Sequence, residues 1–307
     1  MSSAWFIAGA TATGKSAVAQ RLAEQLGCAI LSADSMLVYR GMDIGTAKPT
    51  PAERGAIPYF GIDLVTPAQP FSTGLWLAAA RRALADTTRP IIVAGGTGLY
   101  TKALTDGFDS QAASPASRAR WQALYEREGI DALRRTLETR APGALATLLD
   151  AANPRRLIRA LEHLDARGTL PAQWNAPAAT APVAILRMPR EQLHARIARR
   201  VAAMFKAGLI DEVRALRRDF PVWSDTASHA IGYAEACALL DGTLTEREAA
   251  ERITIRTRQL AKRQETWFRH QTQAVWIDIE DTDPTERIAQ RVLDTWRQHG
   301  PTNVISI

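Results

Sequence analysis

The sequence predicts an α/β fold, a parallel sheet flanked by helices with an inserted all-helical domain, and three observations carry that prediction. Up to about residue 105, short β-rich runs alternate with helical patterns, as expected for parallel strands joined by crossover helices. From about Phe108 to Leu170 the strand signals vanish, and Trp121, Leu124, Leu133, Leu137, Leu145, Leu148, Leu157 and Leu161 fall among Arg and Glu at roughly helical spacing. Strand and helix patterns then return after the Ala- and Pro-rich stretch "WNAPAATAP", whose composition is that of a linker. The expected organisation is a core made of residues 1–107 and 181–307, with a helical insertion at 108–180.

The elements follow in chain order. "AWFIAG" is a β-rich run, "SAVAQRLAEQLG" has helical spacing, and "CAILS" and "YFGIDL" are further short strands. "TGLWLAAARRALADT" is the next helix and leads into the strand "PIIVAGG". Beyond the insertion, "VAILRM" (183–188) is a strand. Helical patterns cover 191–218, 229–240 and about 245–270, and then come the strand "AVWIDI" and an amphipathic helix from Pro284. No internal repeat is present.

Bulk properties exclude several classes. At 307 residues, with 46% hydrophobic and 23% charged residues, the chain suits one large globular core with an insertion. No apolar run approaches the roughly 18–20 residues of a membrane span, and "MSSAWFIAGA" lacks the basic n-region of a signal peptide. Cys28 and Cys237 form no CxxC and lie near no histidine pair, so they are expected as buried thiols in the cytoplasm. A net charge of +6 and a pI near 9.7 tilt towards a polyanionic partner.

The chemistry begins at "GATATGKS". Gly9, Gly14, Lys15 and Ser16 satisfy G-x-x-x-x-G-K-[ST] between a strand and a helix, the context in which such a loop binds phosphates. The fold class is thereby P-loop NTPase-like. The loop glycines let backbone N–H groups turn onto an anion, the helix N-terminus adds partial positive charge, Lys15 a full one, and Ser16 can ligate Mg²⁺. A P-loop ATPase also needs an apolar strand ending in a metal-binding acid. "PIIVA" instead runs into "GGTG", and Asp63 of "YFGIDL" is a weak substitute. The better placed acid is Asp34, just beyond the C-terminal end of "CAILS", where ligands gather in open α/β sheets. It suits transfer to a second substrate better than hydrolysis, and the competing reading makes it a turn or cap residue in "SADS".

At this point "SADSMLVYRGMDIGTAKP", "GGTGLYTKAL", "NPRRLIRALE", "AIGYAEA" and "TRQLAKRQETWFR", in this order behind the loop, resemble the tRNA dimethylallyltransferase (tRNA isopentenyltransferase) family from about Phe6 to Asp278. The resemblance implies transfer of the dimethylallyl group from dimethylallyl diphosphate to N6 of the adenosine immediately 3′ of the anticodon, tRNA position 37. The loop of Gly9, Ala10, Thr11, Ala12, Thr13, Gly14, Lys15 and Ser16 would then hold the allylic diphosphate, with Mg²⁺ as cofactor on Ser16. The resemblance makes Asp34 the base at N6, places Thr97 near the reacting centre, and aligns Arg200 of "ARIARRV" with a diphosphate-binding arginine; the competing reading of Arg200 is a solvated helix charge. Ala10 stands where the family commonly has Pro, and Leu37 where Gln is frequent.

The partner RNA has a second, family-independent sign. At 100° per residue, Arg252, Arg256, Gln259 and Arg263 share about 60° of arc, with Arg258, Lys262 and Arg269 beside them and Ile253, Leu260, Trp267 and Phe268 on the other side. Six positive residues stand against Glu265 alone between Arg252 and Arg269, a pattern that suits phosphates better than a merely solvated face. The resemblance assigns tRNA contact to Lys262, Arg263, Gln264, Glu265, Thr266, Trp267, Phe268 and Arg269. It does the same for Asp34, Ser35, Met36 and Leu37, for Thr97 and Arg118, and for Arg155, Arg156, Leu157, Ile158 and Arg159. His229, Ala230, Ile231, Gly232, Tyr233 and Ala234 complete the set, with His229 and Ala234 where basic residues are frequent.

Two other enzymes fit parts of the pattern: an adenylate isopentenyltransferase acting on free AMP, ADP or ATP, and a P-loop small-molecule kinase with Asp34 as base. A mononucleotide needs neither the helical insertion nor the basic helix. A non-catalytic RNA-binding protein would not need Lys15, Ser16 and Asp34 together. No interface stripe is left over, so a monomer is expected.

Overall fold

The structure, a computed structural model, describes residues 3–107, 114–148, 150–170 and 183–304. The expected linker at 174–182 lies outside them, as do the expected insertion boundaries at 108 and 180. The described residues form two compact units, one of 3–107 with 183–304 and the other of 114–170.

The first unit begins β1 (Ser3–Gly9), α1 (Lys15–Leu26), β2 (Ala29–Ser32), the single turn α2 (Pro51–Arg54), β3 (Tyr59–Phe60), α3 (Thr73–Asp86), β4 (Ile91–Gly95) and α4 (Gly98–Asp106). The second unit holds α5 (Pro115–Glu128), α6 (Ile130–Arg140), the turn α7 (Ala144–Thr147) and α8 (Pro154–Arg167). The first unit resumes with β5 (Val183–Arg187), α9 (Arg190–Lys206), α10 (Leu209–Asp219), the turn α11 (Asp225–Ser228), α12 (Tyr233–Leu240), α13 (Glu246–Gln271), β6 (Ala274–Asp278), α14 (Thr285–His299) and β7 (Thr302–Asn303).

The sheet runs β3-β2-β4-β1-β5-β6, all parallel. Ile7 of β1 is paired with Ala94 on one side and Ala184 on the other, which puts the loop after β1 at the middle of the sheet's carboxyl edge. Phe6, Ile7, Ala8, Ile30, Leu31, Ile92, Val93 and Ile185 are all buried. Strands covered on both faces read as continuous apolar runs, which is why these were legible. β7 pairs antiparallel with the start of β1, Thr302 with Ala4; two residues are too few to show a period.

Three expected elements change. The pattern at 191–218 is two helices, because Gly208 takes a left-handed φ of 97° between α9 and α10, a conformation glycine adopts without steric cost. The pattern at 229–240 becomes helical only from Tyr233. "YFGIDL" is a strand at Tyr59 and Phe60 alone, since Asp63 turns away to meet the buried Lys48 (Oδ1 to Nζ 2.6 Å). Asp63 is therefore an ion-pair partner in the fold, not a metal-binding acid.

The second unit has its own core. Trp121, Leu133, Leu137, Leu157 and Leu161 are buried together, and Leu124, Leu145 and Leu148 pack against them, as helical spacing predicts. Asp165 ties its helices, accepting from Trp121 Nε1 at 2.8 Å and Arg140 Nη1 at 2.6 Å. Burial pushes its carboxyl up, but hydrogen bonds from the Ser117 hydroxyl, Arg140 and Trp121, with the Arg140 charge, hold it below the usual range.

Candidate active site

The phosphate loop runs from the end of β1 into α1. Ala12 and Gly14 have positive φ (66° and 86°), and alternating handedness turns successive N–H groups to one side. Thr13 closes the loop by donating its hydroxyl to the Ala10 carbonyl at 2.9 Å. Lys15 is buried and donates to the same carbonyl at 3.2 Å. Burial brings its pKa down to about 8, the Asp34 charge works the other way, and Arg200 pushes it further down. A lysine so desolvated has a charge that an arriving anion would stabilise.

Arg200 reaches this loop from α9. Its Nη1 donates to Thr11 Oγ1 at 3.1 Å and its Nη2 to the Thr46 carbonyl at 2.9 Å, so it is no solvated helix charge. Burial lowers its pKa, and Asp34 opposes that shift. Its neighbours Arg196 and Arg199 are both engaged by Asp281. Thr46 lies in a loop held by buried Lys48, which donates to the Tyr39 carbonyl at 2.7 Å. Glu212 accepts from the Ile44 amide at 2.8 Å and from the Tyr233 hydroxyl at 2.6 Å.

Asp34 sits beyond β2 as expected. One carboxylate oxygen accepts the Met36 amide at 2.9 Å, a turn interaction, and no other hydrogen bond to the carboxylate occurs among the described residues. The turn interaction leaves the other carboxylate oxygen without a hydrogen bond among the described residues. Thr97 locks this segment to β4: its amide donates to the Ala33 carbonyl at 3.0 Å, and its hydroxyl accepts the Ser35 amide at 3.0 Å.

Two cavities meet here. The smaller, about 50 Å³, is walled by Lys15, Ser16, Leu37 and Ser32. The larger, about 460 Å³, is walled by Met36, Leu99, Ile197, Val201 and Met204 and by one stripe of α13: Ile253, Arg256, Leu260, Arg263, Gln264 and Trp267. Thr11, Asp34, Thr46 and Arg200 line both. Gln264 ties α13 to the phosphate loop, its Oε1 accepting the Thr11 amide at 2.8 Å. Trp267 lies so close over Gly98 that a Cβ there would fall 1.9 Å from the indole Cδ1; only glycine lets the indole form this wall.

The helical wheel of α13 needs correction. Leu260 and Trp267 line the cavity beside Arg256 and Arg263, while Ile253, Ala261 and Phe268 are buried. Arg256 is not a free phosphate ligand, because its guanidinium is paired with buried Glu235 and donates to the His229 carbonyl at 2.9 Å. Lys262, Thr266 and Arg269 are exposed, and Glu265 pairs with Arg269 at 2.6 Å.

Other expected RNA contacts divide by burial. Phe268 and Tyr233 are completely buried, and Leu157 and Ile158 lie in the insertion core. Their side chains maintain packing in the two cores. Ser35, Met36, His229, Ala230 and Ile231 border the larger cavity, whereas Gly232 is buried and Ala234 half-buried. In the second unit Arg118 and Arg159 converge on the buried Glu162 carboxylate at 3.8 and 3.5 Å, with Arg155 exposed and Arg156 half-buried. Sequence reasoning missed Lys48, Thr46, Glu212 and Glu235, whose partners lie far away in the chain or in irregular loops.

Ser16 is exposed at the mouth of the smaller cavity. Among the described residues no group of three or more His, Cys, Asp or Glu could hold a metal ion. No helix among them is long and apolar enough to cross a membrane.

The family model described as IPP transferase matches residues 37–271, and that described as Isopentenyl transferase matches residues 2–57. The tRNA dimethylallyltransferase of Corynebacterium jeikeium is 38% identical over 287 residues, covering 91% of this chain and 92% of its own. The crystal structure of the tRNA isopentenylpyrophosphate transferase from Bacillus halodurans superposes with a TM-score of 0.68 at 34% identity, covering 97% of this chain and 98% of its own. A eukaryotic dimethylallyltransferase acting on tRNA shares the fold, with a TM-score of 0.79 at 24% identity over 98% of this chain and 81% of its own.

Proposed function

The chain belongs to the IPP transferase family, and we propose that it transfers the dimethylallyl group of dimethylallyl diphosphate to N6 of the adenosine immediately 3′ of a tRNA anticodon, releasing diphosphate. The observation that carries this reading is the junction of the two cavities. Asp34, Thr11 and Arg200 face at once a cationic phosphate cradle and a larger, mainly apolar chamber. A diphosphate on the loop and an acceptor base in the chamber would meet at Asp34.

The residues divide the work. As the allylic C–O bond breaks, its electron pair stays on the leaving diphosphate, where the loop amides, Lys15 and Arg200 offer preorganised positive charge. Adenine N6 is a weak nucleophile because its lone pair is delocalised into the ring. A carboxylate that accepts an N6–H hydrogen bond, and the proton as the C–N bond forms, raises its reactivity; that is the role of Asp34. Thr97 keeps the Asp34 segment in place through the Ser35 amide. Leu260, Trp267, Val201 and Met204 keep water, the competing nucleophile, from the allylic carbon. Ser16, exposed at the smaller cavity beside the loop, would hold Mg²⁺ through its hydroxyl. When bound, the ion neutralises diphosphate charge.

The acceptor base must leave its stack to enter the chamber, and splayed loop bases are what RNA-reading proteins exploit. Lys262, Arg263 and Arg269 on α13, and Arg118, Arg155, Arg156 and Arg159 of the insertion, are proposed to contact the RNA backbone. Lys262→Ala with Arg263→Ala should weaken tRNA binding and make its salt dependence shallower, by about 0.7–0.9 in log–log slope for each phosphate that is no longer neutralised. Filter binding across a salt series measures this, with diphosphate affinity as the control. Wild-type affinity and slope in the folded double variant would reduce this stretch of α13 to a solvated surface. The same reading takes the enzyme to be a cytoplasmic monomer. Incubation with labelled dimethylallyl diphosphate and total tRNA, followed by nucleoside analysis, tests the reaction: label should appear in N6-dimethylallyladenosine, and its absence from every nucleoside would refute the proposal.

A further inference from the structure

Ser32 ends β2 and is 3% exposed, yet its hydroxyl has no hydrogen-bond partner. It stands in register with Ala94 in the sheet, and its carbonyl accepts Trp76 Nε1 at 2.9 Å. An unsatisfied buried hydroxyl costs stability, and native proteins keep few of them. The strand alternation puts Ser32 on the same side as Ile30, and both line the smaller cavity with Lys15, Ser16, Asp34 and Arg200. In that wall Lys15 and Arg200 are donors only, and the hydroxyls of Thr11, Thr46 and Tyr59 already have protein partners.

We propose that Ser32 is a further substrate-binding residue, its hydroxyl donating directly to an oxygen of the diphosphate seated on the phosphate loop. The inference rests on the reading of that loop as a diphosphate site. It explains why an alanine, which would remove an unpaired polar atom, does not stand at this position: the hydroxyl is satisfied when substrate is bound. A hydrogen bond to a charged oxygen is stronger than one between neutral groups, so the gain on binding exceeds that of an ordinary hydroxyl contact.

The test uses the full chain and inorganic diphosphate as the probe, by titration calorimetry with and without Mg²⁺, beside urea unfolding without ligand. Ser32→Ala should unfold at the same or a higher urea concentration than wild type and bind diphosphate about tenfold more weakly in both buffers. Ser32→Cys, close in size and a weak donor, should also bind more weakly. Equal affinity in Ser32→Ala with a lowered urea midpoint would make the hydroxyl structural and overturn the inference alone. A loss confined to Mg²⁺ buffer would overturn direct donation, because the hydroxyl would then act through the metal's hydration shell. If wild type binds no diphosphate, or binds it as well after Lys15→Ala, the diphosphate reading falls and this inference with it.

Discussion

Asp34→Asn is expected to cut the rate of dimethylallyl transfer by about a hundredfold or more, the scale of a lost general base, while leaving both substrates bound. The amide oxygen of asparagine can still accept the Met36 amide, so the turn that shapes the segment survives. The Thr97 hydrogen bonds, which involve main-chain atoms of Ala33 and Ser35, are untouched. What disappears is the negative charge and the site that takes the N6 proton. Affinity for diphosphate should hold or improve, since a carboxylate beside an anion is repulsive. Single-turnover transfer with an anticodon stem-loop, beside direct binding of each substrate, separates the two effects. Near-normal turnover would remove Asp34 from the chemistry.

Lys15→Ala should be the second large effect, and it should not cost stability. The ammonium is buried and its pKa is depressed to about 8 by desolvation, so the folded protein tolerates that charge at a cost. Removing it should leave the protein at least as resistant to urea as wild type. Transfer should fall by about 10²–10³, the range seen when one preorganised donor to developing negative charge is removed, and the KM for dimethylallyl diphosphate should rise. Because the charge acts on the leaving group, kcat and KM should both suffer. A stable variant with unchanged constants would mean that the loop serves another ligand.

Much of this site was legible in the sequence because it is built from local patterns. The phosphate loop is set by the spacing of Gly9, Gly14 and Lys15 between a strand and a helix, and the buried parallel strands announce themselves as apolar runs. Asp34 could be placed because the end of a short strand fixes which edge of the sheet a following residue occupies. The remainder depends on contacts that no local period encodes. Gln264 meets Thr11 across 253 positions, and Arg200 meets Thr46 across 154. α13 misled because a two-faced wheel has no place for a third face: the stripe from Ile253 through Leu260 to Trp267 lines a chamber, mixing apolar side chains with Arg256, Arg263 and Gln264. Arg256 looked free because Glu235 lies on another helix, and Tyr233 and Phe268 lay within stretches assigned to RNA although their own side chains fill the core.

The most direct test is the choice of acceptor. Wild-type protein, labelled dimethylallyl diphosphate and Mg²⁺ are offered an anticodon stem-loop with adenosine 3′ of the anticodon, the same stem-loop with guanosine there, and free AMP, each at equal concentration. The adenosine stem-loop should become labelled at N6, with the guanosine stem-loop and AMP unlabelled over the same time. Labelling of AMP in preference to the stem-loop would contradict the account, because the acceptor would then be a mononucleotide and the basic helix and the helical insertion would have no RNA to bind.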